Sequence, residues 1–279
     1  MAPMIKSVFT AYTEEGEGER EAALGYALSL AQQAGAHLTV QAAAMRYNVP
    51  GTLIGDFGTA FVAAENRRIT SLAKRFAELA RTSAGLAGVT STVETPELVY
   101  AELGGRLAGQ ARVHDLSVLD LEKDAAERDR GLIEAALFDS GRPVIIVPPE
   151  VERFACGRIL IAWDGSATAA RTVAEVRPFL AGAEVEILSV TGEKDLSKYI
   201  AGAELAPHLS RHGAAVSVRN VALSAGQDVA EAIRMAAAEF DADLIVCGAY
   251  KHSRLREWIL GGVTQSLLKS SSRPLLMSH

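Results

Sequence analysis

Cysteine is scarce: the 279 residues contain two, Cys156 and Cys247. They sit far apart and without metal-type spacing, which excludes a disulfide framework and a cysteine-built zinc site. Cys247 falls in an apolar strand pattern, where a buried thiol behaves as a small hydrophobe. Net positive charge is also missing, with 34 acidic against 28 basic residues and a formal charge of -6. Nonspecific nucleic-acid binding needs a basic face that displaces counterions from phosphates, so nucleic acid is not an expected partner. A local basic patch remains compatible with an acidic total. No stretch approaches the ~20 apolar residues of a membrane span. The opening Met-Ala-Pro-Met-Ile-Lys soon meets Glu14, Glu15, Glu17 and Glu19, which does not read as a signal peptide. The expected address is the cytoplasm, with no membrane partner.

Catalytic signatures are lacking too. Of the six histidines, His208 and His212 alone share i, i+4 spacing. That spacing can hold zinc on one helix face, but no glutamate of a metalloprotease signature lies between them, and a solvated helix end is the other reading. No Gly-x-Ser-x-Gly elbow and no recognisable Cys-His pair occur. Neither a catalytic residue nor a metal ligand is expected.

What is present is an α/β pattern written twice. Hydrophobic residues make up 49% and charged residues 22%, a globular composition, and the length suits two domains of roughly 140 residues. Val8-Phe9-Thr10-Ala11 opens the first half and Ile159-Leu160-Ile161-Ala162 the second. Each is followed by apolar positions at three-and-four spacing: Leu24, Ala27, Leu28, Ala31, and then Ala169, Val173, Val176, Leu180. Second strands are expected at Leu38–Val40 and Val185–Val190, third strands at Val89–Val93 and Val216–Ala222, and fourth strands at Leu116–Leu119 and Leu244–Cys247. Between second and third strands the first half carries a long helix with Ile69, Leu72, Phe76 and Leu79 on one face, and the second half a shorter one around Leu196–His208. Helices near Leu98–Ala111 and Val229–Phe240 follow. Both halves close on Arg-Pro and an apolar run, Arg142 to Val147 and Arg273 to Met277. Near-continuous apolar strands alternating with helices predict doubly wound parallel sheets of about five strands each. The proline- and charge-rich segment 148–154 marks the boundary, giving domains at 1–149 and 156–279.

Ligands of such sheets bind beyond the carboxyl ends of strands, where strand order reverses. In the second half this points to Asp164, after the first strand, and Gly248, after the fourth. Gly248 begins Gly-Ala-Tyr-Lys-His-Ser-Arg-Leu-Arg-Glu-Trp-Ile-Leu-Gly-Gly-Val-Thr, which ends on a Gly-Gly pair at a helix start. Unpaired amides at a helix start attract phosphate oxygens, and glycine lets the phosphate approach. Lys251, His252, Arg254 and Arg256 add positive charge. For Asp164 a turn or N-cap role before the first helix is an equal reading, and for Val190 plain strand packing is the simpler one.

On these residues the chain resembles the universal stress protein family in its tandem form. Ile159 to Ser166 resembles that family's opening strand with its Asp-Gly-Ser, and the segment from Gly248 to Thr264 resembles its glycine motif. The family's nucleotide-binding members carry glycine, two residues, glycine, nine residues, then glycine followed by Ser or Thr. Here Gly248 and Gly261 match, Lys251 stands at the second glycine, and Gly262 stands at the hydroxyl position. Lys251 either crowds the phosphates or contacts them, and Thr264 keeps a hydroxyl nearby. The resemblance implies an adenine nucleotide, ATP with Mg²⁺, in a stress-response or regulatory protein. Asp164 would meet the ribose or adenine, Val190 the adenine, and Gly248, Lys251, Gly261, Gly262, Val263 and Thr264 the phosphates. It implies at most weak ATP hydrolysis. The other reading is a protein of the same fold that binds no nucleotide and acts through dimerisation and partner contacts. In the first half Asp120 aligns with Gly248 and Thr13 with Asp164, and the acidic segment 121–127 would repel phosphate, so that half is expected to have no such site. The family's last strands pair between domains, implying an internal pseudo-dimer here, with a homodimer of whole chains also open.

Overall fold

A computed structural model describes residues 4–13, 22–47, 51–121, 128–191, 202–223, 228–249, 251–252 and 259–279, with the backbone alone for 51–57, 128–130, 251–252 and 259–260. The first half runs β1 (Ser7–Thr13), α1 (Ala22–Ala34), β2 (His37–Arg46), α2 (Gly51–Ala87), β3 (Ser91–Glu94), β4 (Glu97–Val99), α3 (Tyr100–Arg112), β5 (Leu116–Asp120), α4 (Arg128–Asp139) and β6 (Val144–Val147). The second runs β7 (Arg158–Ala162), α5 (Ala167–Val176), β8 (Glu184–Thr191), α6 (Gly202–Arg211), β9 (Ala215–Ala222), α7 (Val229–Glu239), β10 (Leu244–Gly248), β11 (Lys251–His252), β12 (Ile259–Leu260), α8 (Gly262–Ser270) and β13 (Leu275–Ser278).

The main strands form one sheet in the order β3-β2-β1-β5-β6-β13-β10-β7-β8-β9, with β4 pairing β2 beyond the end of β3. Within each half the strands are parallel and their order is the same. The halves meet where β6 and β13 pair antiparallel, Ile145 opposite Leu276 and Ile146 opposite Leu275. Val144, Ile145, Ile146, Leu275, Leu276 and Met277 are all fully buried there, each worth roughly 1.5–3 kcal/mol of hydrophobic burial. Alternate side chains feed two cores. Ile145, Val246 and Leu276 join α1, α2, α5 and α6 on one face; Ile146, Ile245 and Leu275 join α3, α4, α7 and α8 on the other.

Matching polar anchors hold matching places in the two halves. Asp115, just before β5, accepts the backbone N–H groups of Lys6 and Ser7 at 2.7 and 2.8 Å. Asp243, just before β10, accepts that of Arg158 at 2.9 Å. Each carboxylate therefore pins the start of its half's first strand. Burial pushes the Asp115 carboxyl up, but those N–H donors, the Ser7 hydroxyl and the Arg142 charge outweigh it and hold the carboxyl below its usual range. Ser140 and Ser271 accept the N–H of Arg142 and Arg273, turning the chain into each closing Arg-Pro strand. The segment joining the halves is itself packed: Phe154 is buried, lies edge-on to Tyr26 at 5.5 Å and contacts Phe179 at 5.2 Å.

Two local expectations need correction, and a third falls partly outside the described residues. The second strand continues past Val40 to Arg46, because Gln41 and the small residues Ala42, Ala43 and Ala44 are buried in the sheet although they look weak as a strand. Leu79 is not on the buried face of α2 but 38% exposed; Ile69, Ala73, Phe76, Ala77, Ala80 and Ala84 make that face, since a 3.6-residue period carries position 79 away from it. The helix expected at Leu196–His208 is described from Gly202 to Arg211; 192–201 lie outside the described residues.

Candidate functional site

In the second half β7 lies between β8 and β10. The chain leaves β7 for β8 and β9 on one side and returns to β10 on the other, so strand order reverses between β7 and β10. Asp164 and Gly248 stand at the carboxyl ends of these two neighbours, whose register pairs Ile161 with Val246. Trp163, buried, sends its backbone N–H to Leu188 at 2.8 Å and extends the sheet toward Asp164.

Asp164 also shapes the turn into α5. Its Oδ1 accepts the N–H of Ser166 at 3.0 Å, and the Ser166 hydroxyl accepts that of Ala169 at 3.0 Å. The N-cap of α5 is thus Ser166, with Asp164 ordering the turn before it. The Asp164 carboxylate also lies near Cys247: burial, then that charge, push the thiol up to about 12. Gly248 has a steric reason to be glycine. A Cβ there would lie 3.0 Å from Thr168 Cγ2 and 3.1 Å from the Ala169 nitrogen, because the first turn of α5 rests on the end of β10.

The start of α8 differs from those of α5 and α7. Ser166 and Asp228 cap those helices with side-chain oxygens, whereas Gly261 caps α8 with none and the first turn carries no acid. The first helical bond runs from Gln265 N–H to Gly261 C=O at 2.9 Å, so the amides of Gly262, Val263 and Thr264 precede the ladder. Gly261 is buried, but Gly262 is exposed and a Cβ on it would meet no atom of the described residues within 4 Å. Val263 and Val190 each pack, partly buried, against the same core. The Thr264 side chain is buried, at 2% exposure. Lys251 belongs to the two-residue strand β11, paired with Leu260 of β12; its side chain, with Arg254, Arg256 and Trp258, lies outside the described residues.

The first half closes the corresponding place with its own charge. Asp120, which pairs with Val147 as Gly248 pairs with Ser278, accepts the Ala23 N–H of α1 at 2.8 Å. A carboxylate thus sits on the helix start that Gly248 leaves to close packing in the second half. Of the acidic segment beyond Asp120, Leu121 is buried and 122–127 lie outside the described residues. His208 and His212 form a ring pair at 4.9 Å. Burial, then the charges of His212, Arg177 and Arg211, lower the His208 pKa. Among the described residues no three His, Cys, Asp or Glu side chains group as a metal site, and no helix is long and apolar enough to cross a membrane. Sequence reasoning missed Ser166 and Thr168; the Asp-Gly-Ser-Ala-Thr run after a strand carried the cap signal for the first.

Sheet order and strand ends define a doubly wound α/β protein with the ligand-binding topology of its class. Residues 156–279 carry a domain that matches the model of the Universal stress protein family. A universal stress protein from Archaeoglobus fulgidus has the same fold, with a TM-score of 0.67 at 14% identity over 99% of this chain and 96% of that one. So has a functionally unknown protein from Pseudomonas aeruginosa, at 0.58 and 16% over 98% and 92%. The search of curated proteins found no match.

Proposed function

We propose that this protein acts as a universal stress protein that binds an adenine nucleotide, ATP first among them, at the carboxyl end of the second half of the sheet, and that it serves stress response or regulation through that binding. The observation that carries the reading is the start of α8. Its leading amides precede the helical ladder, its N-cap Gly261 brings no capping side chain, and no described atom lies within 4 Å of a Cβ built on Gly262. Oriented N–H groups with the positive end of the helix dipole suit a triphosphate. Asp164 at the end of β7 is the acceptor for ribose or adenine, and Val190 at the end of β8 is the apolar contact. The phosphates would rest on Gly261, Gly262, Val263 and Thr264, with Lys251 beside them and Mg²⁺ arriving with the nucleotide. The role read here is that of a sensor, with at most slow hydrolysis.

A second reading, a partner-binding protein without nucleotide, draws on two observations. Asp164 is already engaged with Ser166, and Thr264 is buried. Calorimetric titration of the full chain with ATP and Mg²⁺ separates the two. The nucleotide reading expects saturable binding that weakens at least about tenfold in Asp164→Ala and in Gly262→Glu. The latter puts a carboxylate at an exposed helix start, where it suits the dipole but repels phosphate. No heat of binding at millimolar ATP selects the second reading.

A further inference from the structure

A cavity of about 880 Å³ opens in the first half between α2 and the carboxyl ends of β2 and β4, within the ~300–1,000 Å³ typical of small-molecule sites. It belongs to the other half from α8 and shares none of its residues. Helix α2 presents Asn66, Arg67, Thr70, Ser71 and Lys74 to it, a polar stripe at three-and-four spacing. The same helix sends Phe76, Ala77 and Ala80 into the main core. Ile69 and Ala73 pack on Ala44 of β2, fixing helix to strand next to the cavity.

The wall is ordered by specific bonds. Asn66 clamps the backbone of Tyr47 from both sides, its Oδ1 accepting the N–H at 2.9 Å and its Nδ2 donating to the C=O at 3.0 Å. That fixes the end of β2 while leaving the Tyr47 side chain 43% exposed. Arg46 pairs with Glu97 of β4 at 2.9 Å. Glu97 is the carboxylate in the lining, set against the three cations Arg46, Arg67 and Lys74. Once Arg46 and Glu97 are matched, Arg67 and Lys74 have no carboxylate partner among the described residues. Two cations without a carboxylate partner thus line one cleft and make a local positive spot on a chain of net charge -6. Arginine offers a planar fork of donors to a phosphate and lysine a compact charge. Thr70 and Ser71 add hydroxyls on the turn between them.

We infer that this cavity is a binding site for a small phosphate monoester: Arg67 and Lys74 hold the dianionic phosphate, and the Tyr47 ring covers the organic part. The test is a ¹H–¹⁵N NMR titration of the full-length protein with phenyl phosphate, and in parallel with inorganic phosphate. Saturable shifts are expected at the amides of Tyr47 and of residues 66–74, with phenyl phosphate the tighter of the two. The Arg67→Ala/Lys74→Ala double variant, which removes only exposed side chains, should lose at least about tenfold in affinity. The charge-conserving Arg67→Lys change should keep most of it, and Tyr47→Ala should bring phenyl phosphate down to the affinity of inorganic phosphate. Shifts that do not saturate, that persist in the double variant, or that fall on 261–264 instead would overturn the assignment. The last pattern would report on the α8 site and leave the nucleotide reading standing.

Discussion

Replacing Gly248 by alanine adds one methyl group where β10 meets α5. The new carbon would lie 3.0 Å from Thr168 Cγ2, 3.1 Å from the Ala169 nitrogen and 3.3 Å from the Thr168 carbonyl carbon. Two of these three atoms are backbone in the first turn of α5, whose Ala169 N–H is held by Ser166 at 3.0 Å. The clash cannot be relieved by turning a side chain alone; helix or strand must shift. Overpacking of this kind costs about 1–3 kcal/mol. With a urea slope near ~3 kcal/mol per M for a chain this large, the unfolding midpoint should fall by roughly 0.3–1 M. Gly262→Ala is the internal control. Its methyl meets no atom of the described residues within 4 Å, and alanine in a helix is favoured over glycine by up to about 1 kcal/mol. Equilibrium urea unfolding followed by far-ultraviolet circular dichroism reads both. The steric account is wrong if Gly248→Ala unfolds at the wild-type midpoint, or if Gly262→Ala is the more damaging change. Because Gly262→Ala should leave stability intact, any loss of nucleotide affinity in it reports on the site alone.

Three further outcomes are expected. Tyr26 is fully buried and its hydroxyl has no hydrogen-bond partner among the described residues, so Tyr26→Phe should raise stability by about 1–3 kcal/mol in urea; a loss would reveal a bond to that oxygen. The Cys247 thiol is raised from 9.0 to about 12, so the fold favours its neutral form; that stability is complete below pH 9 and drains away as pH rises toward 12. Between pH 8 and 10 wild type should lose about 1.4 kcal/mol more than Cys247→Ala, and parallel pH profiles would contradict this. Phe154 links the two halves through Tyr26 and Phe179, and Phe154→Ala should cost about 3–5 kcal/mol by thermal or urea unfolding. A cost below 1 kcal/mol would mean that the connecting segment adds little to the fold.

Much of the fold is legible in the chain because its strands are short, continuous apolar runs. Val144-Ile145-Ile146-Val147 and Leu244-Ile245-Val246-Cys247 could hardly be anything but buried strands, and the helices between them repeat every three or four residues. Less visible was what depends on a neighbour distant in sequence. Gln41 and three alanines extend β2 because strands lie on both sides, not because of strand propensity. Gly248 invites a phosphate reading, yet the backbone of α5 alone requires a glycine there. Asp120 reads as an acid that repels ligands; in space it accepts an N–H from α1, ninety-seven residues back in the chain. The cavity beside α2 is not legible in the sequence, because the polar stripe of that helix has the pattern of an ordinary solvated surface until β2 and β4 are placed opposite.

Nucleotide binding by this chain depends most directly on the amides that open α8. A ¹H–¹⁵N NMR titration of the full-length protein with ATP and Mg²⁺ tests them directly. The account predicts saturable shifts at Gly262, Val263 and Thr264 together with Asp164, abolished by Gly262→Glu. Unmoved amides at those positions under millimolar ATP, or shifts confined to residues 46–74, would contradict it.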